Sequence, residues 1–521
     1  MATKVATTDK PRGQISVKQM GWGILAAALL FFAFFNLRNY PATWFDEGSH
    51  LHVPKTLLQH GAYADISSEG LRYFGPTLGV GPTVLLPIAL MFKIAGIGLV
   101  QARIVMGLYL LATVFAFYKL ANTLGGRTLA LFAAALFVTS RTIGTLEYGR
   151  QVLGEIPGFL FIALAFWLWF SAWDNASYGR LAGVGLLFGL ATITKQQYLL
   201  VLAPTLGLAW ISNWFYYRQK GHLHFLIPGI LTAASYAVWQ VILIVFLAPG
   251  TASENLRLLG AAAGGAAFVF DPGIMAEAFR QLTSFNLFLG FLLPVLVYSF
   301  FLVLPRNKQG QQWGILYILV IANLGWYVVS IGWIRYAFAG LAISSLFVSR
   351  FFLDVTENFR LGEYGQKLWA MVQGKEEGNL PQLALRVTLA LWLVGMIVLP
   401  LAQNLKNIAL TQENAAADMA AYLSENVPLT AIIETWEPEI GFLADQKFHY
   451  PPSGTLNLSV QQKFMNGPLV AEQYNFQEHV DAEYVLIGNF ATWIELYTPA
   501  QLEPTYQQEA QFGPYILYKR Q

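Results

Sequence analysis

Two adjacent carboxylates, Asp46 and Glu47, sit in the run Trp44-Phe45-Asp46-Glu47-Gly48, just past an apolar stretch that ends near Phe35. A partly desolvated carboxylate can take a proton from a hydroxyl as that hydroxyl attacks, and its neighbour can orient it or ligate a metal. The competing reading is a solvated acid pair at a membrane end. His50 and His52 follow at a spacing that suits neither one helix face nor a strong metal motif, and they read best as interfacial loop histidines. A second acid, Glu155, opens an apolar run that continues to Phe170. An acid entering hydrocarbon costs on the order of a few kcal/mol, so Glu155 must face a polar cavity or a partner. Pro157 fits a helix start, where a carboxylate also complements the helix dipole, so a capping role competes with a chemical one. Glu147 is the rival for the same position.

Two cations complete the set. Lys195 ends the segment Gly185 to Thr194, and Arg335 lies in Trp333-Ile334-Arg335-Tyr336. Each could snorkel to a membrane surface, or each could meet a phosphate, for which the Arg fork is the better match. Acids and cations around an apolar groove suit an anionic lipid whose head group reacts. The cations would stabilise the leaving phosphate and a carboxylate would activate the acceptor.

The elements that must position these residues are membrane helices. Mean hydropathy is +0.48, 55% of the residues are hydrophobic and only 12% are charged, against roughly 25% charged in a soluble domain. Apolar stretches of spanning length lie near 20–38, 102–121, 128–146, 157–173, 181–195, 199–215, 225–248, 285–304, 313–332, 336–351 and 384–403. The stretch 82–99 is apolar but broken by Pro82, Pro87 and Gly96, and it carries Lys93. If it stays on the outer surface, the basic N-terminus (Lys4, Lys10, Arg12, Lys18) and the later loops holding Lys119, Arg127, Arg180, Arg218, Lys220, Arg306, Lys308 and Arg350 to Arg386 all fall inside, as the positive-inside rule prefers. The expectation is a polytopic all-α membrane protein with about 11 transmembrane helices. Residues 1–18 form a cytoplasmic tail, 19–403 the membrane domain with an outer loop over 40–100 and juxtamembrane helices, and 404–521 an extracytoplasmic domain. This topology places Asp46, Glu47, Glu147, Glu155, Lys195, Arg257 and Arg335 at or near the outer face. The first apolar stretch reads as a retained anchor, not a cleaved signal peptide.

The tail from 404 carries 14 Asp and Glu against 5 Lys and Arg. Helical periodicity over Gln412 to Glu425 and strand-like runs at Thr430–Ile433, Tyr484–Ile487 and Tyr515–Tyr518 predict a small α/β domain. No basic patch interleaved with stacking aromatics points to nucleic acid. With no cysteine, disulfides, thiolate metal sites and thiol nucleophiles are excluded. No internal repeat is evident, which counts against an inverted-repeat transporter of lipid or sugar. A non-catalytic scaffold docking through its acidic tail is the other alternative.

The order of these features resembles a known family. One span is followed by an outer loop opening with Asp46-Glu47. A second acid precedes a later span. Then come Gly185-Leu-x-x-Gly-Leu-Ala-x-x-Thr194-Lys195-Gln196 and a late Arg335-Tyr336. Over about residues 20–350 this is similar to the GT-C superfamily of membrane glycosyltransferases, on the branch of bacterial protein O-mannosyltransferases and lipid A aminoarabinose transferases (family 39-like). The acidic tail is similar to the extracytoplasmic domains many members carry. The resemblance implies transfer of a sugar from a polyprenyl-phosphate donor to a glycan, lipid or protein acceptor, on the outer side of a plasma (inner) membrane and with inversion. It implies Asp46 as catalytic base, Glu47 as its companion, Glu155 as the second acid, and Lys195, Arg335 and Tyr336 as donor-phosphate contacts. Trp44, His50 and Arg150 complete the candidate set as acceptor-contacting or supporting residues. Where many members carry His-Pro-Pro-Leu, this chain has Gly75-Pro76-Thr77 and Gly81-Pro82-Thr83, so the acceptor side departs from the pattern. Two acids without a clear ligand set leave a divalent metal open and assign no other cofactor.

Overall fold

The computed structural model describes residues 17–73, 79–247, 252–253, 256–257, 260, 267–374, 379–452 and 454–521. The Gly75-Pro76-Thr77 segment and the N-terminal tail before Val17 lie outside them. Helices dominate up to residue 410. In chain order they begin with α1 (Val17–Phe34), α2 (Phe45–His60), a two-stranded hairpin β1 (Ala64–Ser67) and β2 (Gly70–Tyr73), α3 (Pro82–Ala95) and α4 (Leu99–Thr139). A one-turn α5 (Thr145–Tyr148) leads into α6 (Glu155–Ser171), α7 (Tyr178–Thr194), α8 (Tyr198–Ser212) and α9 (Leu223–Val241).

Five helical stretches among the described residues are long and apolar enough to cross a membrane: Leu99–Thr139, Tyr198–Tyr217, Leu223–Leu247, Ile334–Val355 and Leu380–Asn426. Five shorter apolar helices accompany them, including α3, α6 and α7. The two apolar stretches expected near 102–121 and 128–146 form the single element α4. It is interrupted by non-helical backbone at Gly125 and Gly126, where Gly126 has φ 77°. Gly supplies that left-handed step without a Cβ penalty. The ambiguous stretch 82–99 becomes α3, whose 14 residues extend about 21 Å, short of the roughly 30 Å hydrocarbon core. Gly81 caps it and Pro82 opens it, as proline favours at a first helical position.

The largest core cluster of the helical part runs from Phe32 to Ile408, and a second joins α2, α3 and the start of α4. Four aromatics from three elements, Phe117, Phe137, Phe159 and Phe338, meet in the first with ring centroids 4.7–6.4 Å apart.

From residue 432 a mixed five-stranded sheet forms: β3 (Ile432–Thr435), β4 (Lys447–His449), β5 (Tyr484–Ile487), β6 (Tyr506–Phe512) and β7 (Tyr515–Arg520). Its order is β4-β3-β5-β7-β6. β3 runs parallel to β4 and β5, and β7 runs antiparallel to β5 and β6. The three strand-like runs are β3, β5 and β7. The two further strands, β4 and β6, take the edges. β6 reads Tyr-Gln-Gln-Glu-Ala-Gln-Phe, too polar to announce itself by apolar alternation, and a polar edge also discourages pairing with other chains.

The two parts interlock. Phe45, the first residue of α2, belongs to the core of the C-terminal part: its ring stacks on Phe490 at 3.7 Å and meets Trp436 edge-on at 5.9 Å. The hairpin adds Ser68 N–H to Phe448 O at 2.7 Å and Arg72 Nη2 to Pro451 O at 2.7 Å. Gly48 lets a short helix, Pro438–Leu443, press against α2. A Cβ there would stand 2.2 Å from the backbone nitrogen of Glu439.

Candidate active site

Asp46 and Glu47 are consecutive in the first turn of α2. Consecutive helical side chains point about 100° apart, so the pair must diverge. Asp46 turns into a cavity of about 500 Å³ between the helical and C-terminal parts. Glu47 turns into the protein. Its Oε1 accepts from Arg103 Nε at 2.9 Å and from Val152 N–H at 3.1 Å, and its Oε2 accepts from Arg103 Nη2 at 2.5 Å. Both side chains of this fork are fully buried. The structure therefore does not bring Glu47 to the cavity as the companion of Asp46, because a desolvated guanidinium has claimed both of its oxygens.

Around Asp46 the expected charges assemble. Arg335 Nη2 lies 2.6 Å from Asp46 Oδ2, and its Nε lies 3.2 Å from Glu155 Oε1. Lys195 Nζ contacts the same Glu155 oxygen. A single chain of charges, Asp46–Arg335–Glu155–Lys195, joins α2, the start of α6, the end of α7 and a 3-10 turn at Ile334–Ala337. All four side chains line the cavity. Arg335 also lies over the rings of Trp44 at 5.1 Å and Trp333 at 5.6 Å, a cation–π arrangement that suits a guanidinium. Two buried atoms of the chain of charges, Glu155 Oε2 and Arg335 Nη1, have no hydrogen-bond partner. Burial raises the Asp46 carboxyl pKa, but Arg335, His50 and Lys195 around it outweigh that and hold it below its ordinary value. Asp46 is therefore ionised at neutral pH.

Local backbone fixes these positions. Lys195 follows α7 in extended conformation and bridges Val80, while Gly81 N–H donates to Thr194 O at 2.9 Å. Gly81 is required for that approach, since a Cβ would fall 1.9 Å from Ile193 O. Tyr198 OH donates to the backbone oxygen of Glu155 at 2.7 Å, tying α8 to α6.

The remaining candidates divide. Trp44, His50 and Tyr336 line the cavity. His50 Nδ1 is 2.7 Å from Val152 O, and the Tyr336 ring stacks on Trp326 at 5.2 Å. Arg150 is fully buried and does not line it. Its guanidinium donates to the backbone oxygens of Phe32, Phe35 and Tyr40, which clamps the exit of α1. His52 is no exposed loop residue either: it is buried, with Nε2 2.8 Å from Pro438 O and Nδ1 3.2 Å from Asp65. Both histidines lie within α2, not in a loop. Glu147 is exposed and lines a neighbouring cleft with Gln151 and Gln281. Arg257 is exposed and lines no part of the main cavity.

The structure adds residues that the sequence reading passed over. Glu437 and Glu439, with Asn457, Asn489 and Trp493, form the C-terminal wall of the cavity. The run Thr435-Trp436-Glu437-Pro438-Glu439, just after a strand, was the signal available for them. Among the described residues, no group of three or more His, Asp or Glu is arranged to hold a metal ion. The two cavity acids of the helical part, Asp46 and Glu155, are each paired with a cation.

A family model described as dolichyl-phosphate-mannose-protein mannosyltransferase matches residues 80–239, just under a third of the chain. No curated protein matches. Among solved structures, ArnT from Cupriavidus metallidurans bound to undecaprenyl phosphate superposes with a TM-score of 0.63 at 13% identity, over 96% of this chain and 98% of that one. The oligosaccharyltransferase AglB from Archaeoglobus fulgidus, in complex with an inhibitory peptide and a dolichol-phosphate, gives 0.54 at 14% identity, over 97% of this chain and 74% of that one. The chain is thus a membrane protein of the GT-C fold that resembles the glycosyltransferases of the protein mannosyltransferase and ArnT branch, as its motifs imply.

Proposed function

We propose that this protein transfers a sugar from a polyprenyl-phosphate donor to an acceptor on the outer side of the plasma (inner) membrane, with inversion. The observation that carries this reading is the convergence of Asp46, Glu155, Lys195 and Arg335 on one cavity, from positions spread over nearly 300 residues. The lipid phosphate takes the cation side, where Arg335 Nη1 is buried without a partner and Lys195 stands beside it. That ArnT was solved with undecaprenyl phosphate supports a polyprenyl phosphate as the ligand class.

In this reading an acceptor hydroxyl oxygen attacks the anomeric carbon as its proton passes to Asp46. The bond from that carbon to the lipid phosphate oxygen breaks, and the electron pair leaves with the phosphate. Arg335 and Lys195, each held in place by a carboxylate, stabilise the charge that develops there. The Arg335 fork keeps Asp46 ionised and aimed, at the cost of making it a weaker base than a free carboxylate. Glu155 gathers Lys195 and Arg335 on one oxygen and fixes their positions. No step is assigned to a metal.

The test uses the purified full-length chain, a labelled polyprenyl-phosphate sugar and a candidate acceptor preparation, with and without chelator. The expected result is consumption of the donor by the wild type and none by Asp46→Asn, with that variant still folded and inserted. Normal turnover by Asp46→Asn overturns its role as base. Movement of the donor across vesicles without bond cleavage would favour the transporter reading instead.

A further inference from the structure

The C-terminal wall of the cavity takes no part in the reaction as just described. Glu437 and Glu439 flank Pro438 at the start of the short helix Pro438–Leu443. Glu437 is satisfied by backbone: it accepts from the N–H groups of Gly488 at 3.0 Å, Ala491 at 2.9 Å and Phe490 at 3.3 Å. Glu439 is not. Its Oε1 accepts from Tyr515 OH at 2.9 Å and its carboxyl pairs with that of Glu437, but Oε2 has no N–H or hydroxyl donor, although the residue is only 1% exposed and lines the cavity. Leaving a buried polar atom unpaired is costly, so the position invites a ligand that completes it.

The chemistry of this wall differs from that of the helical wall. Lys195 and Arg335, the two cations of the cavity, both come from the helical part, and the C-terminal wall contributes carboxyls, amides and aromatic rings. A phosphate is drawn to the first, and the second offers it no Lys or Arg. Trp493 is 41% exposed, 6.3 Å from the Trp333 ring and 5.8 Å from Phe490, and gives a flat apolar face. Asn457 and Asn489 line the same wall, and each side-chain amide both donates and accepts.

Resting on the glycosyl-transfer reading, we propose that this wall is the acceptor subsite and that the acceptor is itself a sugar, with one hydroxyl hydrogen-bonded to Glu439 Oε2 and its ring lying against Trp493. A hydroxyl donates and accepts, so it satisfies Glu439 whether or not that carboxyl holds a proton. A flat aromatic face beside polar groups suits a ring with C–H groups on its faces and hydroxyls on its rim. A volume of about 500 Å³ shared with the donor head group suits a compact ring better than an extended peptide.

The test is ligand-observed saturation-transfer NMR on the full-length protein in detergent, with methyl α-mannoside, methyl α-glucoside and methyl β-galactoside as probes. Wild type should give a signal with at least one glycoside. Glu439→Leu and Trp493→Ala should each weaken it by about fivefold or more, the size expected for one lost hydrogen bond or ring contact. Undecaprenyl phosphate should still raise the thermal midpoint of both variants, which shows that they are folded and keep the lipid site. The proposal is overturned if no glycoside binds the wild type, if both variants bind as the wild type does, or if a Ser/Thr peptide binds through Glu439 and the glycosides do not. Failure of undecaprenyl phosphate to stabilise the wild type would instead sink the transferase reading, and the glycoside signals would then decide only whether this wall binds a sugar.

Discussion

Asp46 and Glu47 are neighbours in sequence, yet the structure gives them opposite consequences when removed. Glu47 and Arg103 are both fully buried and joined by two hydrogen bonds of 2.9 and 2.5 Å, with Val152 N–H as a third contact at 3.1 Å. Removing one partner of such a pair leaves an uncompensated buried charge and costs about 3–5 kcal/mol. At about 1.4 kcal/mol per power of ten, Glu47→Gln should lower the ratio of folded to unfolded protein by roughly two to three and a half powers of ten. The assay is thermal unfolding of the detergent-solubilised protein, followed by tryptophan fluorescence, beside turnover at a temperature where the variant is still folded. A double-mutant cycle sharpens it. Arg103→Met alone should be destabilising too, and Glu47→Leu with Arg103→Met should cost much less than the sum of the single changes, because no unpaired charge remains. Asp46→Asn should leave the midpoint near that of the wild type and abolish turnover. A Glu47→Gln protein that melts like the wild type but cannot turn over would refute the reasoning and return Glu47 to the chemistry.

Gly48→Ala places a methyl carbon 2.2 Å from Glu439 N, so it should push the C-terminal part off α2. Faster limited proteolysis between residues 404 and 438, with loss of turnover, is the expected readout. Arg335→Lys keeps the charge but cannot span Asp46 and Glu155 at once. Affinity for a polyprenyl phosphate, measured by titration, should fall by about tenfold or more. Burial lifts the Glu437 carboxyl to about 7, and burial together with the Glu437 charge beside it pushes the Glu439 carboxyl well up, so the folded protein binds protons more tightly than the unfolded chain. The stability linked to these groups is present below about pH 4.5 and is lost as pH rises through about 7. Thermal midpoints should therefore fall between pH 5 and pH 7.5, and Glu437→Gln should flatten that slope.

Much of the architecture was legible because lipid imposes it. Long apolar runs with basic flanks have few solutions in hydrocarbon, so helix after helix appears near its expected position, and the α/β character of the tail follows from three short apolar runs. Asp46, Glu155, Lys195 and Arg335 could be singled out for a related reason: a charge beside apolar sequence is costly and calls for a partner. What could not be read was direction. A rotation of about 100° per residue sends Asp46 into the cavity and Glu47 into a buried ion pair with a residue 56 positions away. Of the two roles open to Arg150, contact with the acceptor or support, the structure shows a clamp on backbone oxygens of the first helix and its exit. Glu437 and Glu439 carried only the weak signal of two acids around a proline after a strand, because their place in the cavity depends on Phe45 entering the C-terminal core and on Gly48 admitting the helix that carries Glu439. The sequence by itself determined which residues must find polar partners in an apolar chain. Only the tertiary structure decided which partners they found, because helix phase and close approach at single glycines are set by contacts hundreds of residues apart.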